Sequence, residues 1–177
     1  SPDVTRSFNQ IFTNAADTVN LYRAAQATGD PLVIDGVKSQ YLRYLAGKLF
    51  TSRPIAGAVE GAVDEGSAGG LRRMLGDFDT TDVTVAKIIF DDNQKFLSDL
   101  DLLLNEMKDD LDIRQIRPQT FSSNTMVDAV RAKSLSNLIG VTLGRLNQAA
   151  ARANILGSWL TDFQKKKSIQ QINNILG

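Results

Sequence analysis

The chain contains no cysteine and no histidine. Without cysteine there can be no disulfide framework and no thiolate metal site. Without histidine the commonest general base, the usual zinc ligand and every Ser-His or Cys-His nucleophile pair are missing, which removes most hydrolase mechanisms. Glutamate is scarce, occurring only at positions 60, 65 and 106. Long apolar runs are absent as well. The best candidate, Leu135 to Leu146, is interrupted by Ser136, Asn137, Thr142 and Arg145 and falls well short of the ~20 residues a membrane-crossing helix needs.

What is present is ordinary globular material. Of 177 residues, 42% are hydrophobic and 23% charged, enough to bury a core as one domain or two small helical subdomains. The formal net charge is +0, but it is unevenly distributed. Residues 1–59 carry 6 basic and 4 acidic groups, residues 60–112 carry 5 and 14, and residues 113–177 carry 9 and 2, giving +2, −9 and +7. Such a polarised chain can pair its middle with its end, within one molecule or head to tail between molecules. The start, Ser1-Pro2-Asp3, has neither an initiator Met nor a basic-then-apolar leader and reads as a processed product or an excised piece.

Apolar spacing predicts an all-α fold, an irregular bundle of about six helices with a glycine-rich connector. Val4, Phe8, Ile11, Phe12, Ala15, Val19 and Tyr22 form one stripe and predict a helix over Val4–Ala27. Thr28-Gly29-Asp30-Pro31 then supplies a C-terminal glycine, an N-cap and a first-turn proline. A second helix follows over Leu32–Phe50, with Val33, Val37, Tyr41, Tyr44, Leu45 and Leu49 inward and Lys38, Arg43 and Lys48 outward. From Ser52 to Gly70 the sequence turns to Pro, Gly, Ala, Asp and Glu, with Ile55–Val63 a candidate small-residue helix and Gly70–Gly76 a short helical turn. Thr80-Thr81-Asp82 caps a short helix to Ile89 and Phe90; Val83-Thr84-Val85 also suits a strand, which would lack a partner. Asp91 or Asp92 caps a strong helix to Leu111. After Pro118, Ser122 or Ser123 caps the longest helix, Asn124–Ile155, with Met126, Val127, Val130, Leu135, Leu138, Leu143 and Leu146 apolar. Trp159, Leu160 and Phe163, a lysine run and an amphipathic Ile169, Ile172, Ile175, Leu176 stretch complete the chain. The expected organisation is a hairpin over 1–63, a connector and short turn over 64–82, and a bundle over 83–177, the last continuous with the first if they share a core.

Candidate chemistry is thin. Asp91, Asp92, Asp99, Asp101, Asp109, Asp110 and Asp112 lack the Asp-x-Asp-x-Asp-Gly loop and terminal Glu of helix-loop-helix calcium sites, and fit a solvated acidic face better. No carboxylate is isolated in an apolar setting as a glycosidase acid would be. The glycines before Arg72 and Arg73 lack Gly-Lys-Ser/Thr and read as a hinge rather than a phosphate loop. Lys165, Lys166 and Lys167 beside Trp159 and Phe163 could touch nucleic acid or anionic lipid, yet they equally describe a helix end, and the neutral total argues against a dedicated DNA binder. Ala132, Ser136, Gly140 and Gly144 recur every four residues, a row of small side chains that lets another helix approach closely, inside the domain or between subunits. These four, with Trp159 and Phe163 as aromatic anchors, are the candidate interface residues.

Gly69-Gly70-Leu71-Arg72-Arg73-Met74-Leu75-Gly76-Asp77, followed by Phe96-Leu97-Ser98-Asp99-Leu100 and by Phe121-Ser122-Ser123-Asn124-Thr125, resembles the C-terminal helical part of large internal virion proteins of tailed bacteriophages, the ejection proteins of short-tailed phage heads. The pattern runs through residues 1–155. The resemblance implies a place in an oligomeric assembly stored in the virion or passed into the host, and it supplies no catalytic residue.

The expected function is therefore a non-enzymatic structural or assembly domain. It would need no cofactor and no metal, and its partners would be other protein chains, as a homo-oligomer or virion assembly in the virion or host cytoplasm, with no specific nucleic-acid or membrane binding. A cellular helical adaptor that takes a partner helix in a groove is the alternative, and a carboxylate-dependent enzyme the remoter one.

Overall fold

Four residues set the first clear corner of the fold. In the computed structural model, which describes residues 2–49, 78, 80–116, 121–146 and 153–177, Gly29 takes φ +65, the left-handed conformation that glycine reaches without a Cβ clash. Its N–H donates to Gln26 O at 3.0 Å. Asp30 Oδ1 accepts from Leu32 N at 2.9 Å, and Pro31 opens the next helix. The Thr-Gly-Asp-Pro reading is thus realised group by group.

The described residues form seven helices and no strand: α1 Pro2–Phe12, α2 Ala15–Ala27, α3 Pro31–Leu49, α4 Thr80–Ile89, α5 Gln94–Ile116, α6 Phe121–Arg145 and α7 Ala153–Leu176. An all-α multi-helix bundle is the fold. The glycine-rich connector, the Ile55–Val63 segment, the Gly70–Gly76 turn and Pro118 lie outside the described residues.

Three boundaries differ from expectation. The single helix expected over Val4–Ala27 is broken at Thr13–Asn14, because Asn14 leaves helical geometry (φ −116, ψ 122) and its side chain accepts from Asp17 N at 3.0 Å as an N-cap. The helix expected to start from Asp91 or Asp92 is capped by Asn93, whose Oδ1 accepts from Phe96 N at 3.1 Å, and it runs on to Ile116. The long helix expected over Asn124–Ile155 spans Phe121–Arg145, placing Ser122 and Ser123 inside it, and a separate helix starts at Ala153.

The chain divides into two compact units. The first comprises residues 1–41 and 144–177 and the second residues 42–143, a grouping unlike the sequential hairpin, connector and bundle, because α7 returns to α1 and α2. In the first unit Phe8, Phe12, Leu21, Tyr22, Ala25, Val33, Val37, Tyr41, Leu156 and Leu160 are buried. Phe12 stacks on Phe8 with centroids 5.8 Å apart and meets Tyr41 edge-on at 5.3 Å, geometry that favours aromatic pairs beyond their buried area. Lys38, expected outward, is buried, because α3 is enclosed from Gly36 through Ser39; it does not lack a partner there, as a buried cation requires.

In the second unit Leu42, Leu45, Leu49, Phe78, Val85, Ala86, Ile89, Phe90, Phe96, Leu100, Met107, Ala132, Leu135 and Ile139 are buried. Phe90 and Phe96 bracket the α4–α5 corner with centroids 4.9 Å apart. Two ion pairs tie elements: Lys48 at the end of α3 to Asp82 in the first turn of α4, at 2.5 Å, and Arg131 of α6 to Glu106 of α5, at 2.5 Å. Both charges of the first pair also suit the helix dipoles they sit on. Val130, expected on the apolar face of α6, is instead 56% exposed, since the buried stripe runs through Ala132, Leu135, Ile139 and Thr142.

Candidate interaction surfaces

The row of small residues on α6 does not act as one unit. Ala132 is buried in the second unit, while Ser136, Gly140 and Gly144 are exposed. A Cβ added at Gly140 or Gly144 would meet nothing within 4 Å, so among the described residues neither glycine admits a neighbouring helix. With Val130 and Val141, which are 56% and 54% exposed, they leave α6 a flat, small-residue outer face.

The close helix approach inside the chain falls at Gly157. Its hypothetical Cβ would lie 3.2 Å from Val4 Cγ2, so the missing side chain lets α7 settle on α1. Spacing held a signal for it, because Ala153, Gly157 and Thr161 repeat at the same interval as the row on α6. Thr161 donates its Oγ1 hydrogen to Gly157 O at 3.0 Å, closing its hydroxyl onto its own helix. Trp159 and Phe163 are half-buried and stack with centroids 5.8 Å apart and planes at 25°.

Helix α7 changes its apolar side part-way along. At about 100° per residue, Leu156, Leu160 and Phe163 share one direction, and Leu156 and Leu160 are buried. Ile169, Ile172 and Leu176 point roughly 180° away from that direction. They are 58%, 55% and 80% exposed, and Ile175 on their flank is 84% exposed. The side of distal α7 that continues the buried direction is polar. Lys167 Nζ lies 3.0 Å from Asp17 Oδ1, and an open groove of about 790 Å³ between α7 and the α1–α2 pair is lined by Ile11, Asp17, Asn20, Phe163, Lys167 and Gln171 among others. As far as Gln171, distal α7 therefore shows its polar side to the groove, while its aliphatic side chains point away from the core of their own unit.

Magnitudes say what this stripe can and cannot do alone. Fully covering an aliphatic side chain stabilises by roughly 1.5–3 kcal/mol, so four partly exposed ones offer about 4–8 kcal/mol. Association costs about 4–15 kcal/mol in lost freedom. A contact made only by the stripe would be marginal, and a lasting one requires further apolar or charged complementarity.

The carboxylates are dispersed. Asp17, Asp82, Asp99 and Glu106 each pair with a cation, Lys167, Lys48, Lys95 and Arg131 respectively. Among the described residues no group of three Asp or Glu side chains could hold a metal ion, and no described helix is long and apolar enough to cross a membrane. The surfaces define an all-α domain with outward helix faces. Comparison with known proteins finds no matching family model, no matching curated protein and no matching solved structure.

Proposed function

We propose that this chain is a non-enzymatic assembly domain that works through helix–helix contacts with other protein chains, as a component of a bacteriophage virion or its ejection apparatus. The observation that supports this reading is the inverted distal half of α7, where Ile169, Ile172, Ile175 and Leu176 face outward while Lys167 turns inward to Asp17. A stripe of large aliphatic side chains at helical spacing, turned from the core of its own unit, is suited to another chain. The flat face of α6 around Gly140 and Gly144 offers a second contact of the same kind. The phage assignment rests on the sequence resemblance alone. In that setting the domain resides in the virion or the host cytoplasm.

A second reading, an adaptor that takes a partner helix in a groove, draws on the opening between α7 and the α1–α2 pair. Its lining mixes Asp17, Asn20, Lys167 and Gln171 with Ile11, Ala24 and Phe163, a combination that an amphipathic helix could meet. The test that separates the two readings is the solution mass of the purified chain by light scattering, at low and high salt. A defined oligomer supports assembly; a salt-insensitive mass of one chain, 19.3 kDa, favours the adaptor.

A further inference from the structure

We propose that the outward stripe of α7 is covered by the acidic outer face of α5 in a second copy of this chain, the two helices running antiparallel. The inference rests on the assembly reading and specifies which two faces meet.

Charge selects the partner face. After Asp162 the chain has no carboxylate side chain, while Lys165, Lys166 and Lys167 immediately precede the stripe. Lys167 is engaged by Asp17; Lys165, one turn before Ile169, lies in line with the stripe. Any face that accepts the stripe must also accept this cation. The outer face of α6 carries exposed Lys133 and Arg145 and repels it. A second α7 in parallel register would set Asp162 against Asp162 and Lys165 against Lys165, both unfavourable.

The outer face of α5 has the complementary pattern. Leu102 is 59% exposed, and Asn105, Asp109 and Asp112 follow it along the same exposed side. Lys95, at the far end of that side, is already paired with Asp99 at 3.4 Å. Spacing matches as well. Lys165 and Ile172 are seven residues apart, as are Leu102 and Asp109, which is about 10 Å along each helix. Antiparallel packing with Ile172 on Leu102 therefore brings Lys165 beside Asp109, Ile169 beside Asn105 and Leu176 beside Ser98. This register adds one attractive pair, Lys165 with Asp109, to one aliphatic contact, Ile172 on Leu102, and so supplies the charged complementarity that the stripe alone lacks.

The experiment is a charge-reversal cycle on the full chain. Self-association is read by light scattering and sedimentation at low and high salt, with circular dichroism to verify folding, since all substituted positions are exposed. The wild-type chain self-associates and does so less at high salt. Ile172→Asp lowers the mass to 19.3 kDa. Lys165→Glu and Asp109→Lys each weaken association about tenfold or more, and the double variant Lys165→Glu/Asp109→Lys recovers most of the loss. An oligomer unchanged in all four variants overturns this contact while leaving the assembly reading intact. A wild-type chain that stays at one-chain mass under all conditions overturns both. Binding of the wild-type chain to phosphatidylserine vesicles, abolished by Ile172→Asp and without self-association, overturns the contact in favour of an anionic bilayer.

Discussion

Lys167 Nζ donates to Asp17 Oδ1 at 3.0 Å, fastening the polar side of distal α7 to the first turn of α2. Both side chains are more than a third exposed, 44% and 38%, so water screens the pair. Exposed pairs of this kind contribute about 0.2–1 kcal/mol. Lys167→Met should therefore lower the unfolding free energy by less than about 1 kcal/mol in urea titration, while amide exchange across residues 165–176 should quicken. A loss of several kcal/mol would mean that distal α7 is held to its unit by much more than this contact.

Gly29 isolates backbone strain from packing. Its φ is +65, and an added Cβ would meet nothing within 4 Å, so Gly29→Ala should cost about 1–2 kcal/mol from the left-handed conformation alone. The check is the shift in denaturation midpoint with an unchanged slope. Neutrality would show that the turn relaxes to accept alanine.

Gly157 poses the opposite case, an ordinary helical backbone with a crowded neighbour. A Cβ there would lie 3.2 Å from Val4 Cγ2, which a small movement of a valine methyl can relieve. Gly157→Ala should be nearly neutral, since helix propensity offsets the squeeze. Gly157→Leu should cost about 1–3 kcal/mol by prising α7 from α1. Equal stability for the leucine variant would show that the α1–α7 contact contributes little to the first unit.

These relationships differ in how far they could be read beforehand. The α2–α3 corner was legible because Thr28, Gly29, Asp30 and Pro31 each act on their own backbone, with no tertiary choice to make. The break at Asn14 was not, because Phe8 and Phe12 before it and Leu21, Tyr22 and Ala25 after it allow a nearly continuous apolar stripe. At the α4–α5 corner Asp91, Asp92 and Asn93 are all competent caps, and the packing of Phe90 on Phe96 goes with the choice of Asn93. Both apolar sides of α7 are visible in its sequence, but periodicity does not say which of two opposed sides a core will take. The same limit applies to small residues, for spacing alone looks identical at Gly157, which meets Val4, and at Gly140, which meets nothing among the described residues.

That distinction makes Gly140 and Gly144 the sharpest test of an outward role for α6. Inside a helix, glycine is less stable than alanine by about 0.5–1 kcal/mol, and neither position has a neighbour within 4 Å of an added Cβ. Gly140→Ala should therefore stabilise the isolated chain by that amount, with a smaller gain at Gly144 one residue from the helix end. Gly140→Leu and Gly144→Leu should leave folding intact, because their larger side chains extend from an exposed face. If another chain lies flat on that face, the leucines hold it off, and self-association falls while stability does not. Unchanged self-association in both leucine variants would remove the α6 face from the interface and leave the distal stripe of α7 as the surface that carries assembly.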